Sequence, residues 1–304
     1  MKKLEELMVI TMEECGELIQ ECSKAIRTQK FENNDKLIQE LCDVKCMMDL
    51  MIENKIVTNM ELNNGASLKK MEQSIMNINY GYACINMKLS YPPKGVQRIT
   101  TGRSMIRRTF LEKGHAYASE ITLKNAKDLD KIIDWNILNG YKFFRMTSTL
   151  APWKSEYEWT DLPDLEEIKL YLRSAGIKAT THGLRLTTHP GPFNVLTSPH
   201  EHVVQNCIGD LQYHADMMDF MGLSRTPYNK INIHLGGAYG DKEASMDRFC
   251  KNFELLSESV RSRLTVENDD KESMYSVKEL YDGVYSRIGV PIVFDYHHHR
   301  FCDG

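Results

Sequence analysis

At 304 residues, with a net charge of −4 and an apolar fraction of 42%, the chain can bury a substantial core in one large domain or two smaller ones. That charge offers no global attraction to nucleic acid or anionic lipid, so any DNA binding must come from a local basic patch. The eight cysteines form no C-x-x-C pair, MKKLEELMVI is too charged for a secretory signal and no apolar run reaches membrane-spanning length, so a disulfide scaffold and a membrane protein are excluded and a soluble cytoplasmic protein is expected.

From Leu4 to Ile26, Met8, Met12, Cys15, Ile19, Cys22 and Ile26 step by four and three, which predicts an amphipathic helix. A second helix follows, with Leu37, Leu41, Val44, Met48 and Met51 on the same rhythm and Asn34 or Asp35 as its N-cap. The short connection predicts antiparallel packing. Within these helices, EECGEL places Glu13 and Glu17 on one face, and ELCDV does the same for Glu40 and Asp43. Asp43 falls between Met47 and Leu50 around its helix, where an ionised carboxylate is costly unless it is paired or holds a metal. The polar stretch NMELNNGASLKKMEQ reads as a linker. The expected division is therefore a small all-α module over 1–58, a linker over 59–76 and a second domain over 77–304.

Beyond Met76 short β-rich runs alternate with helical stretches, from NINYGYACINM through YKFFRMTS, IKATTHGLRL, KINIHLGG and RLTVEND to PIVFDYHHH. That alternation implies a parallel sheet covered by helices. Six strands are countable. Polar residues gather at their C-terminal ends, where a (β/α)8 TIM barrel keeps its chemistry, so an α/β TIM-barrel-type domain is expected, with an open doubly wound sheet as the alternative. A closed barrel needs eight strands, so this one is expected to be incomplete and the polypeptide to be a C-terminally truncated fragment. Lys94, Arg98, Arg103, Arg107 and Arg108 form the one candidate basic patch.

His189, His234, Glu267, and Asp295 with His298 stand at four successive strand ends. Singly, each reads as a hydrogen-bonded rim residue. Together they make the mixture of imidazole and carboxylate that divalent transition metals favour, and a carboxylate bridging between imidazole-bearing strands suits a multi-metal phosphodiester site.

The motifs GYACINM, THPGPFNV, HLGGAYGDK, VENDD and FDYHHHR, in this order, resemble those of the UV damage endonucleases. These are TIM-barrel repair enzymes related to endonuclease IV that incise damaged double-stranded DNA 5′ to ultraviolet photoproducts with a cluster of divalent metals, often manganese. The resemblance implies Mn²⁺, or Zn²⁺ or Mg²⁺, in the barrel. It assigns His189, His234 and Glu267 to a first metal, Glu267 and Asp295 to a second and His298 to a third, with further ligands and a lysine on strands beyond the sixth. Tyr82 matches a tyrosine near the flipped-out lesion. Pro192 and Phe193 stand where the family has a Gln-Tyr wedge; Phe193 keeps a stacking face, while the amide and the phenol hydroxyl are absent. Arg103, Arg107 and Arg108 would meet the DNA backbone.

The acidic pairs of the N-terminal helices resemble the MazG-like nucleotide pyrophosphohydrolases, which hold Mg²⁺ on such carboxylates and convert nucleoside triphosphates to monophosphates. The resemblance implies Mg²⁺ on Glu13, Glu17, Glu40 and Asp43. Two helices are too small to fold alone, so they are expected to pair with a second copy of the chain. Two other readings stand beside this one: another metal-dependent barrel such as a sugar isomerase, and an inactive barrel that binds DNA or oligomerises.

Overall fold

The computed structural model describes residues 3–28, 34–54, 56 and 80–302, and the chain divides into two units, Met1–Ile78 and Asn79–Gly304. The expected linker over 59–76 lies outside the described residues, as does the start of the second domain at 77.

In the first unit, α1 (Lys3–Thr28) packs against α2 (Asp35–Glu53). Asn34 caps α2, its side chain accepting from the Leu37 amide at 3.2 Å. The face of α1 turned inward is not the expected apolar stripe: Met12 and Ile19 are exposed, whereas Glu21 and Ala25 are buried and Glu14 and Leu18 half-buried. Positions 14, 18, 21 and 25 step by four, three and four, so they share one side of the helix, and α2 meets that side. Ile38 and Leu41 of α2 are likewise exposed.

The second unit is a parallel six-stranded sheet whose spatial order follows the chain: β1 (Gly81–Ala83), β2 (Phe143–Met146), β3 (Arg185–Thr188), β4 (Ile231–His234), β5 (Leu264–Glu267) and β6 (Ile292–Val293). Among the described residues nothing pairs with the outer edges of β1 and β6. Between strands run α3 (Met87–Ser90), α4 (Arg107–Leu138), α5 (Leu165–Thr181), α6 (Glu201–Met221), α7 (Lys242–Phe253), α8 (Glu258–Arg261), α9 (Val277–Leu280) and α10 (Ser286–Ile288); α11 (Tyr296–His299) follows β6. Helix α4 begins well before the predicted NAKDLDKIIDWNILNG stretch and contains a break at Gly114.

Strand periodicity sorts the side chains into two layers. Phe144, Met146, Leu186, Ile231, Ile233, Leu264 and Val266 face the helices and are at most 2% exposed. Register places Arg145 beside Thr187, Asn232 beside Thr265, and His234 beside Glu267 on the opposite, concave face. There a cavity of about 310 Å³ is lined by Arg145, Thr187, Lys230, Asn232 and Glu267. Burial and then the nearby Arg185 guanidinium hold the Lys230 amine below its ordinary range.

One expected strand start is helical instead. Thr180 and Thr181 form the last turn of α5 and His182 caps it. The β-branched pair reads as strand locally, but the helix is stopped only at Gly183, whose φ of +66° a residue with a Cβ adopts at a cost. Strand β3 then begins at Arg185.

Candidate active site

The sequence ends each of β4 and β5 on a ligating side chain, His234 and Glu267, and begins a loop with one after β3, His189. Register sets His234 beside Glu267, His189 follows directly on β3, and one atom each from His189, His234 and Glu267 lies within 4.8 Å of the others. Glu267, 7% exposed, is central: Oε2 stands 3.8 Å from His189 Nε2, and Oε1 3.8 Å from His234 Nε2 and 3.6 Å from His298 Nδ1. Its Oε2 also accepts from the Asn232 amide, which is held in turn by Thr265 Oγ1 at 2.7 Å. The three imidazoles follow one another, with ring centroids 5.5 Å apart for His189 and His234 and 5.3 Å for His234 and His298.

Two of the three imidazoles have Nδ1 bonded to a carbonyl, and the third faces a carboxylate. His189 Nδ1 donates to the Pro190 carbonyl at 3.0 Å and His298 Nδ1 to the Asn268 carbonyl at 2.9 Å. A carbonyl oxygen only accepts, so the proton must sit on Nδ1 and the lone pair on Nε2. His234 Nδ1 stands 3.1 Å from Asp269 Oδ1, at hydrogen-bonding distance though not in ideal alignment. Burial is the largest influence on His189 and pushes it downward; for His234 the Asp269 carboxylate outweighs burial and pushes it upward.

Asp295 N-caps the short helix α11, Oδ1 accepting from the His298 amide at 3.0 Å. One carboxylate oxygen thus orients the His-His-His turn and the other, Oδ2, faces His298 Nδ1 at 4.0 Å. Asp295, His298 and Glu267 also converge within 4.8 Å. Because Nδ1 of His298 is taken by the Asn268 carbonyl, the lone pair left to that ring is on Nε2. The donor set fits divalent metals: Nε2 lone pairs and carboxylate oxygens, with ligand-type separations and no hydrogen bonds among them.

The remaining predicted residues are placed as follows. Phe193 is 87% exposed at the tip of the loop after β3, with Pro192 exposed beside it. The loop is fastened by Asn194, whose amide nitrogen donates to the Gly191 carbonyl at 3.1 Å and to Asp210 Oδ2 at 2.6 Å. Tyr82 faces the helical layer, packed on Phe144 and Tyr141, and its hydroxyl donates to Asn136 at 2.6 Å and accepts from Asn86 at 2.8 Å. Arg103 is not available to DNA phosphates as expected. Its guanidinium pairs with Asp128 at 2.6 Å and donates to the Thr100 carbonyl at 2.5 Å, which ties the loop to α4. Arg107 and Arg108 are exposed, with only loose contacts to Glu156 at 3.9 Å and Glu112 at 3.5 Å.

In the helical unit, Glu14, Glu40 and Asp43 converge within 4.8 Å. Glu14 replaces Glu13 and Glu17 in that triad because it lies on the inward face of α1, whereas Glu13 is exposed. Burial first, and then the acidic neighbours Asp43, Glu17, Glu40 and Glu13, push the Glu14 carboxyl up. Glu40 is raised by burial and then by Glu17, Asp43 and Glu21.

Sequence reasoning missed Glu14, Asn194, Asn232, Asn268 and Asp269. Asn268 and Asp269 had a readable signal, since they follow directly on the strand-end Glu267.

The profile of the UV-endonuclease UvdE family matches residues 78–304. A UV-damage endonuclease of Neurospora crassa is 38% identical over 195 residues, 63% of this chain and 29% of that protein. One from Schizosaccharomyces pombe is 35% identical over 229 residues, 74% of this chain and 36% of that protein. The chain thus spans about a third of the length of these relatives. The crystal structure of SacUVDE superposes with a TM-score of 0.64 at 30% identity, covering 73% of this chain and 70% of that one. Motif order, strand-end ligands and these matches agree, and the chain belongs to the UV-endonuclease UvdE family.

Proposed function

We propose that the protein is a metal-dependent DNA repair endonuclease that incises damaged duplex DNA 5′ to ultraviolet photoproducts. The observation that carries this reading is the convergence of His189, His234 and Glu267 at the ends of three successive strands in a chain of this family. His189 Nε2, His234 Nε2 and Glu267 would hold a first ion, Glu267 and Asp295 a second, and His298 Nε2 a third, with Mn²⁺ the preferred metal. Such ions supply an activated water and stabilise charge at the phosphorus and the leaving oxygen. The chain's own groups do the rest. Arg107 and Arg108 offer exposed guanidinium groups to backbone phosphates, and the exposed Phe193 ring offers a face to the stack that a displaced base leaves. Incubation with a duplex carrying one pyrimidine dimer, with and without Mn²⁺, tests this. A single nick 5′ to the dimer that requires Mn²⁺ is expected, together with loss of at least one bound Mn²⁺ by native mass spectrometry in His234→Ala. Equal Mn²⁺ content in that variant sinks the ligand assignment, and Mn²⁺-independent nicking sinks the mechanism.

The N-terminal unit supports a second activity: Mg²⁺ held by Glu14, Glu40 and Asp43, with Glu13 and Glu17 close by, serving hydrolysis of nucleoside triphosphates to monophosphates and pyrophosphate. Burial first, and then the neighbouring carboxylates, raise the Glu14 and Glu40 carboxyls, and a divalent cation would relieve the second of these. Exposed Met12, Ile19, Ile38 and Leu41 favour pairing with a second copy. Pyrophosphate release from nucleoside triphosphates should need Mg²⁺ and fall at least tenfold in Asp43→Leu, and sedimentation should give a dimer. No pyrophosphate release with any triphosphate, from a monomer, removes this reading.

A further inference from the structure

The dipeptide after Glu267 touches more of the candidate ligands than any other pair of residues described. Asn268 has no solvent exposure. Its side chain accepts from the Asp295 amide at 2.8 Å and donates to the Asp295 carbonyl at 3.0 Å, so one carboxamide grips the main chain of a ligand on the neighbouring strand from both sides. Its own carbonyl receives His298 Nδ1. Asp269, 7% exposed, faces the opposite way, toward His234 Nδ1. It is itself fixed, because its amide donates to the Tyr275 carbonyl at 3.0 Å and its Oδ2 accepts from the Tyr275 amide at 3.4 Å. Tyr275 is fully buried.

The arrangement has a chemical consequence. A histidine ligates through whichever ring nitrogen lacks the proton, and the acceptor at the other nitrogen decides which that is. An uncommitted imidazole exchanges between tautomers and ring flips, so part of the population presents N–H to the ion. Asn268 and Asp269 remove that freedom from His298 and His234 at once, while Asn268 also sets where the Asp295 carboxylate starts from. Both do so directly after the strand that carries Glu267, so the spacing between Glu267 and three of the other four candidate ligands, His234, Asp295 and His298, is set within three consecutive residues.

We propose that Asn268 and Asp269 are positioning residues of the metal centre: a bracket that fixes His234 and His298 with Nε2 free and holds Asp295 at its distance from Glu267, without itself ligating. This rests on the reading of His234, Glu267, Asp295 and His298 as metal ligands. Comparable outer partners of ligating groups contribute about 10- to 100-fold in metal affinity.

The test uses the full chain. The ring-nitrogen shifts of the metal-free protein report each histidine's tautomer, and Mn²⁺ titration followed by electron paramagnetic resonance reports affinity. Asp269→Ala should turn His234 from the Nδ1–H form into a mixture, leave His298 unchanged and weaken Mn²⁺ binding about 10- to 100-fold. Asp269→Asn, whose amide oxygen still accepts the Nδ1 proton, should restore the tautomer and most of the affinity. Asn268→Ala keeps the carbonyl, so the His298 tautomer should persist while affinity falls in the same range. If that variant does not fold, Asn268→Asp, which keeps the acceptor for the Asp295 amide but sets a carboxylate oxygen against the Asp295 carbonyl, takes its place. Wild-type affinity in both Asp269→Ala and the Asn268 variant, with an unchanged His234 tautomer, overturns the bracket alone. Absence of Mn²⁺ binding by the unmodified chain overturns the ligand reading and the bracket with it.

Discussion

His214 sits on α6 with no solvent exposure, and among the described residues neither ring nitrogen has a hydrogen-bond partner; Asp210 Oδ2 is 4.0 Å away. Burial depresses its ionisation from the ordinary 6.5 to about 4, against the pull of Asp210 and with a further push from His189. The unfolded chain therefore takes up this proton first as pH falls. Its contribution to stability is complete above about pH 6.5 and is lost on the way down to about 4. The urea midpoint should drop across that window, and His214→Phe should flatten the drop; an identical slope in the variant assigns the effect to another group. Single residues also mark how far the sequence could be read. His189, His234 and Glu267 were legible because strand ends of a parallel sheet point to one rim, so residue type and position suffice. Glu14 was not, because the side of α1 that packs is decided by tertiary contact with α2 and not by the apolar stripe. Arg103 looked like a surface cation, since nothing local announces Asp128, 25 positions away.

At the scale of elements, α5 and α6 approach so closely that a Cβ built on Gly176 would lie 1.9 Å from the Met221 carbonyl oxygen. Two effects oppose each other in Gly176→Ala. Replacing a helix-interior glycine gains up to about 1 kcal/mol of helix propensity, while forcing a methyl against backbone, which cannot rotate aside, costs about 1–3 kcal/mol. The steric effect wins, so the variant should unfold at lower urea with an unchanged slope, and Gly176→Val lower still. A gain in stability for Gly176→Ala would show that the helices slide apart freely. The elements themselves were largely legible, since apolar spacing of 3.6 or 2 and the punctuating glycines belong to the local chain. The exceptions have a common cause. Thr180 and Thr181 favour strand intrinsically, yet they complete α5 because Ala175 and Ala179, both fully buried, hold that helix against its neighbours.

For the whole molecule, the parallel sheet was readable from alternation alone, whereas which strands are neighbours and which edges stay free are properties of closure that no window of sequence contains. The order that emerges is the simplest available: β1 to β6 lie side by side in the sequence in which they are made. A chain leaving the ribosome therefore offers each new strand a partner already in place, and no strand has to wait for a later one. The candidate ligands keep that order too. His189 and His234 come with the third and fourth strands, Glu267 with the fifth, and Asp295 and His298 after the sixth. The imidazoles of the first group thus meet their bridging carboxylate only when β5 docks. Until then the nascent chain carries two histidines without the oxygen that would join them, so on the proposed reading its capacity to capture stray metal would be deferred until the scaffold behind the site is built.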